Sequence, residues 1–202
     1  MPLITPPEVS SIYTRLLDRV ASMPSMVIAF FWGMAEATFF FVVPDVYLGF
    51  VALFHPRRAL RAAMIAVGGA LIGGGSMYAL GNLLGSGMED LLLRIPLIDR
   101  EMLDLVANQL SSQGLLALVS GPFQGVPYKI YAVQAGAKDL GILAFLLVTV
   151  LARLERFLPL TFLVMLVGKI FVKNVQRRTH LVLGVYGLVW LSIYAAYAIT
   201  LK

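Results

Sequence analysis

Six ionisable residues stand where this chain has least reason to carry charge: Glu36, Asp45 and Glu155 against Lys129, Arg153 and Arg156. Each sits inside a long apolar stretch, and the acids balance the bases. Arginine stays cationic and grips a phosphate through two donors, whereas lysine supplies a point charge. A carboxylate withdrawn from water takes up a proton more readily, which releases any cation it had paired. Together these groups read as a proton-responsive anion site, with Glu36 and Asp45 as the proton-coupling carboxylates and Lys129, Arg153 and Arg156 as the cations that bind a headgroup. Such charges each cost about 2.5–3.5 kcal/mol at the centre of an isolated membrane helix, so they persist when paired or facing water. The competing structural reading is an ion-pair network that holds apolar segments together, in which Glu155 simply neutralises a neighbouring arginine. Gln124 and Tyr128 add polar groups able to hydrogen-bond a ligand. His55 and His180 adjoin basic loops, which suits an interfacial position better than metal ligation.

The elements that must position these residues belong to a membrane. The chain has 202 residues, of which 59% are hydrophobic and only 13% charged, and its mean hydropathy is +0.86. Soluble domains carry roughly 45–50% apolar and 25% charged residues. The absence of cysteine excludes disulfides, thiolate metal sites and thiol nucleophiles. No cofactor or metal set is visible, nor any nucleophile–base pair, so the sequence does not read as an enzyme. The net charge of +5 fits basic cytoplasmic loops and anionic lipid headgroups, with no nucleic-acid partner implied.

Along the chain, residues 1–22 read as an N-terminal interfacial helix, with Ile12, Leu16, Leu17 and Val20 opposite Arg15, Asp18 and Arg19. It makes a poor signal peptide, because no positive charge precedes Arg15. The remainder, 23–202, reads as a single membrane domain. Residues 23–54 are too long for one upright span and are interrupted at Val43-Pro44-Asp45, where proline removes a donor and restricts the residue before it. Two half-length helices meeting at Pro44 form a re-entrant hairpin; one kinked, tilted helix is the alternative. A basic loop around Arg57, Arg58 and Arg61 leads into a span at 62–84, whose Gly69/Gly73 and Ala70/Gly74 spacing admits a closely packed neighbour. Residues 87–113 suggest one or two amphipathic surface helices broken at Pro96. The stretch 114–137 is broken by Pro122, Gly125 and Pro127 and reads as a second re-entrant hairpin. Spans at 140–168 and 181–201 follow.

With each hairpin entering and leaving on one side, nine Lys/Arg fall on one face (Arg15, Arg19, Arg57, Arg58, Arg61, Lys169, Lys173, Arg177, Arg178) and four on the other (Arg94, Arg100, Lys138, Lys202). The richer face should be cytoplasmic, and the N-terminus with it. The hairpins are then oppositely oriented, and both break at Val-Pro. Paired interruptions of this kind point to an inverted-repeat transporter with its site near the bilayer midplane.

The pattern of Glu36, an apolar stretch, Pro44-Asp45, the basic string Pro56-Arg57-Arg58-Ala59-Leu60, a glycine-rich span, then GPFQGVPYKIYAVQAG (121–136) ahead of LARLERF (151–157), resembles the DedA superfamily. More closely it is similar to the YqaA-like branch, which shares the VTT or SNARE-associated Golgi protein domain. The resemblance covers roughly 26–171. It implies two oppositely directed re-entrant hairpins and membership among proton-coupled lipid transporters, including undecaprenyl-phosphate flippases and lipid scramblases. It carries the family's acidic positions onto Glu36 and Asp45, and its arginines onto Arg153 and Arg156. Pro127-Tyr128-Lys129 replaces a stretch that usually contains arginine, and the YqaA-like branch need not share the polyprenyl-phosphate role.

The resulting expectation is an all-α integral membrane protein of two oppositely oriented re-entrant helical hairpins and about three full transmembrane helices. It would reside in the bacterial inner membrane as a proton-coupled flippase or scramblase of a lipid or polyprenyl-phosphate headgroup, with anionic membrane lipids and protons as partners and self-association compatible with the pattern. An ion/proton antiporter of the same fold and a non-transporting scaffold are the alternatives.

Overall fold

The computed structural model describes residues 10–200, except for the side chains of Pro122, Phe123 and Thr200; the start of the expected interfacial helix and Lys202 lie outside that range. The described residues form eleven α-helices and two 3-10 turns, with no strand among them. An amphipathic helix α1 (Ser11–Ala21), capped by the Ser10 hydroxyl, runs into α2 (Met23–Thr38) with a 68° bend at Ser22. The chain then leaves helical geometry over 39–44 and resumes as α3 (Asp45–Phe54), 10 residues and about 15 Å long. The interruption is six residues wide, so the single kinked helix does not describe 23–54.

Helix α3 folds back alongside α2. The Tyr47 hydroxyl meets Ser25 at 2.8 Å, and Tyr13 of α1 packs on Phe54 with ring centroids 5.7 Å apart. After His55 comes α4 (Pro56–Leu84), 29 residues long. The basic string expected as a loop forms its first two turns instead, because Pro56 at the first helical position lacks only an N–H that would be unpaired there anyway. Helix α2 lies on the first two thirds of α4 and α8 (Tyr128–Ala137) on the rest. Glycines permit both contacts: a Cβ on Gly69 would run into the Phe30 carbonyl, one on Gly73 into the Met34 carbonyl, and one on Gly81 into the Val133 carbonyl. The close approach expected at Gly69 and Gly73 is therefore present.

Residues expected at the surface as 87–113 form α5 (Ser86–Leu92) and α6 (Arg100–Gln113), the latter N-capped by the Asp99 carboxylate on the Met102 N–H at 2.9 Å. Their apolar faces, with Leu92, Leu103, Val106 and Leu110, are buried against α8. The entering arm of the second interrupted segment is not a helix of its own. Gly114, Gly121 and Gly125 break it into a 3-10 turn (Gly114–Leu116), the single turn α7 (Ala117–Ser120) and a 3-10 turn through Pro122 (Gly121–Gln124); Gly125 has φ +73. Pro127 then N-caps α8.

Helix α9 (Ile142–Ile170) runs 29 residues, uninterrupted by Pro159. Its first half packs on Tyr78 and Tyr128 through Phe145, and its end reaches Leu53 through Gly168, so it runs antiparallel to α4. Helix α10 (Val172–Arg177) forms inside what reads as a loop and meets α1 through the Ser10 N–H to Gln176 carbonyl bond, 2.9 Å. Helix α11 (Thr179–Thr200) closes the chain. By length and composition α4 and α11 can each cross a membrane, and the bent pair α1–α2 makes up to three such segments, as in a membrane protein.

The apolar interior divides into two clusters, one around α8 with Ala37, Ala70 and Ala152, the other around α3 with Ala29, Val67 and Phe157. Glu36 of α2 and Arg153 and Arg156 of α9 fall at the seam between them. Since nothing lies within 4 Å of a Cβ on Gly68 while one on Gly69 meets backbone, Gly69→Ala should cost about 1–3 kcal/mol and Gly68→Ala nothing, read as unfolding midpoints of the detergent-solubilised protein.

Candidate functional site

Four segments bring their charges to one place. Glu36, in the last turn of α2, faces Arg153 of α9 with Oε2 and Nη2 3.1 Å apart. Asp45, the first residue of α3, accepts from Nε of Arg156 at 3.2 Å. Lys129, in the first turn of α8, donates from Nζ to the Phe40 carbonyl at 2.8 Å. The sequence places these residues by helix period: Arg153 and Arg156 are three apart on one face of α9, and Asp45 and Lys129 each begin a helix restarted by a proline.

A cavity of about 380 Å³ opens between the two interruptions. Glu36, Asp45, Lys129 and Arg156 are its charged lining, beside Phe40, Phe41 and Val43 from the first break and Gly125, Val126 and Pro127 from the second. Thus Val43 and Asp45, which flank Pro44, and Val126-Pro127 meet at one cavity. Its volume falls in the range of ordinary small-molecule sites. Four lining residues, Phe41, Pro96, Gly125 and Ile193, are exposed and form an apolar mouth.

The three remaining headgroup candidates do not line it. Arg153 is 1% exposed and lies behind Glu36, its guanidinium 3.8 Å above the Tyr128 ring and 5.8 Å from Phe157. Tyr128 supports that cation from below and pairs its hydroxyl with Thr149 at 2.9 Å. Gln124 is exposed and bonded to Gln109, which also accepts from the Tyr131 hydroxyl. Glu155 points away from the site and is exposed. Among the described residues no three His, Asp or Glu gather as a metal site would require.

Two contributors were not singled out from the sequence. Helix α11, read there as an ordinary span, lines the cavity with Trp190, Ile193, Tyr194 and Tyr197. Its tyrosines also bind both breaks: the Val43 N–H donates to the Tyr194 hydroxyl at 2.9 Å, Tyr186 donates to the Val46 carbonyl at 2.7 Å, and Tyr197 donates to the Gly125 carbonyl at 2.7 Å. The signal was the spacing of four aromatic residues along one helical face. The other contributor is 95–98, the link between α5 and α6, where Leu97 adopts φ +68.

A buried cation stripped of its counter-ion is costly, whereas removing both members of a pair often is not. Glu36→Gln should therefore lower stability by about 3–5 kcal/mol, and the double variant Glu36→Gln/Arg153→Gln should recover at least half of that loss, measured by thermal unfolding in detergent at neutral pH. Equal loss in single and double variants would contradict the pairing.

Comparison with known proteins adds relatives without adding a role. No family model matches the chain, and no solved structure matches it. An uncharacterized protein of Haemophilus influenzae is 23% identical over 175 residues, covering 85% of this chain and 90% of its own. An uncharacterized protein of Histophilus somni is 26% identical over 175 residues, covering 85% of this chain and 91% of its own.

Proposed function

We propose that this protein is a membrane transporter that carries the anionic headgroup of a lipid across the bilayer, coupled to proton movement. The observation that carries the reading is the convergence of Glu36, Asp45, Lys129 and Arg156 at one cavity between two broken helices. A charged floor under walls of Phe40, Phe41, Trp190 and Tyr194 suits an amphiphile, whose charged end the floor can pair and whose apolar part the walls can cover. The exposed apolar mouth gives acyl chains a way to remain in lipid while the headgroup enters. Lys129 and Arg156 are the cations in reach of that headgroup, and Asp45 and Glu36 the carboxylates in reach of a proton.

In this reading α4 and α11 cross the bilayer, and α9, which its mid-length charges set apart from the segments apolar enough to cross by composition alone, crosses with them. Helix α9, about 43 Å long, carries Arg153 and Arg156 at mid-length with their charges turned to Glu36 and Asp45. The two fold-backs are re-entrant and approach from opposite ends of α4, as in inverted-repeat transporters. The end bearing α1, the α3–α4 junction and α10 holds the nine Lys/Arg and faces the cytoplasm of a bacterial inner membrane. Among the residues on which the resemblance to the DedA superfamily rests, Glu36, Asp45, Lys129 and the two arginines gather at the cavity and its seam. This supports placing the chain beside the YqaA-like branch.

The test is reconstitution into phosphatidylethanolamine/phosphatidylglycerol vesicles containing fluorescent-tailed phosphatidylglycerol, the outer label being destroyed by an impermeant reductant. Label loss beyond half, accelerated by a pH gradient, is expected for the wild type. Lys129→Gln and Arg156→Gln should each slow it at least tenfold while leaving gel-filtration behaviour intact. Label loss no faster than in protein-free vesicles overturns the reading, and ion flux without lipid movement would favour an antiporter of the same fold.

A further inference from the structure

The two ion pairs at the seam are built differently. Asp45 and Arg156 are hydrogen-bonded, and the Arg156 side chain is 25% exposed to the cavity. Glu36 and Arg153 are close, yet neither Oε2 of Glu36 nor any of Nε, Nη1 and Nη2 of Arg153 has a hydrogen-bond partner among the described residues. Arg153 is nonetheless the more deeply buried, held between the Tyr128 and Phe157 rings. A guanidinium normally spends its donors on acceptors when it leaves water. Here the whole fork is withheld, and the Glu36 carboxylate, 3.1 Å from it, lines the cavity that the fork does not reach.

A carboxylate is an oxyanion of the same charge sign and similar donor preference as a phosphate or sulfate oxygen pair. We propose that Glu36 occupies the inner half of the anion site as a built-in competitor, and that Arg153 becomes a ligand-binding group when Glu36 is neutralised by a proton and yields its place to the ligand's oxyanion. The site then has two tiers: Lys129 and Arg156 at the cavity wall receive the headgroup, and Arg153 holds it once Glu36 has given way. The ligand class is a tetrahedral oxyanion, borne by a lipid headgroup or free in solution. This inference rests on the transporter reading and assigns that site its order of events. The step balances without a further reactant, since one proton taken up by Glu36 offsets the negative charge that the ligand brings to Arg153.

The groups that face Glu36 are Arg153 and Arg156 from α9, Lys129 and Tyr128 from α8, Asp45 from α3 and Tyr194 from α11. Helix α4 contributes Gly69 and Gly73 against α2 there. Asp45 is thus the one other carboxylate among the groups named, and Asp45→Asn is the necessary control.

The experiment uses the full chain in maltoside micelles with decyl sulfate as a minor component. The charge of this probe is constant between pH 5 and 8, and its binding is followed through intrinsic fluorescence, to which Trp190 in the lining contributes. The wild type should bind at least tenfold more tightly at pH 5 than at pH 8. Glu36→Gln should show the tight affinity at both pH values, and decyl sulfate should restore its melting temperature by more than it raises that of the wild type, since the probe replaces the lost counter-ion. Glu36→Gln/Arg153→Gln should bind at least tenfold more weakly than Glu36→Gln at both. The inference is overturned by a Glu36→Gln variant that binds no better than wild type at pH 8, by undiminished binding in the double variant, or by a pH dependence that survives Glu36→Gln and disappears in Asp45→Asn. If inorganic sulfate reproduces every effect, the two-tier site stands and the lipid headgroup as its ligand falls. A wild type that binds decyl sulfate without moving lipid in vesicles overturns the transporter reading alone.

Discussion

Everything at the centre of this protein depends on satisfying a backbone that has left helical geometry in an apolar environment. A helix pairs its own amides and carbonyls; over 39–44 and 125–127 local backbone bonds, such as Phe40 N–H to the Ala35 carbonyl at 2.8 Å and Val126 N–H to the Gly121 carbonyl at 3.3 Å, meet only part of that need, and in a bilayer no water is at hand to substitute. The protein supplies partners one by one. The Phe40 carbonyl takes Lys129, the Val42 carbonyl takes the Trp32 indole at 2.9 Å, the Val43 amide takes Tyr194, and the Gly125 carbonyl takes Tyr197. Those partners, three donors and the Tyr194 hydroxyl as acceptor, come from α2, α8 and α11, so the shape of each break depends on helices beyond its own segment. A buried amide or carbonyl left without such a partner costs about 1–3 kcal/mol. That cost links the assembly of the helices to the shape of the cavity.

The charges follow from the same geometry. Where helices stop, apolar packing stops, and two apolar clusters meet without merging at the level of Ala152 and Phe157. Arg153 and Arg156 fall between those residues, opposite Glu36 and Asp45. Near-balance of acid and base keeps the desolvation cost tolerable, but it does not make the arrangement a stabilising one, since apolar residues of similar volume would often serve folding as well or better. A seam that carries paired charge, unspent donors and a cavity is a costly way to hold helices together.

Much of this was legible in the sequence because each signal was local and chemical. Val-Pro at 43–44 and 126–127, the glycines of α4 and the charges inside apolar runs each report a departure from what a membrane helix prefers. What escaped was pairwise and long-range. Nothing in the string GPFQGVPYK says that the arm before Gly125 lacks a full helix, because a run of weak turns and a short helix share the same composition. Nothing in α9 says that Arg153 turns inward behind Glu36 while Arg156 reaches the cavity, since three residues of helix rotate a side chain by about 60° from its neighbour's direction and only the facing helices decide which is buried. The aromatic residues of α11 look like membrane-interface anchors until their hydroxyls are seen on the two breaks.

Helix α11 shows how a segment can be weakly packed and still decisive. Its apolar stretch buries almost nothing inside the protein, whereas half of the comparable stretch of α4 is buried. Its hold on the fold is therefore concentrated in hydroxyl groups of Tyr186, Tyr194 and Tyr197, each worth about 1 kcal/mol net, and in its junction with α10. Beyond Thr179, Val182 and Leu183, which pack on the core, such a helix is held mainly by a few hydrogen bonds, while α4 cannot move without unseating the glycine contacts on both of its faces. The cavity thus has one rigid side, built on α4 through α2 and α8, and one movable side. The mouth at Phe41 and Ile193 opens on the movable side, and the same tyrosine bonds that hold the breaks in shape set how readily that side yields.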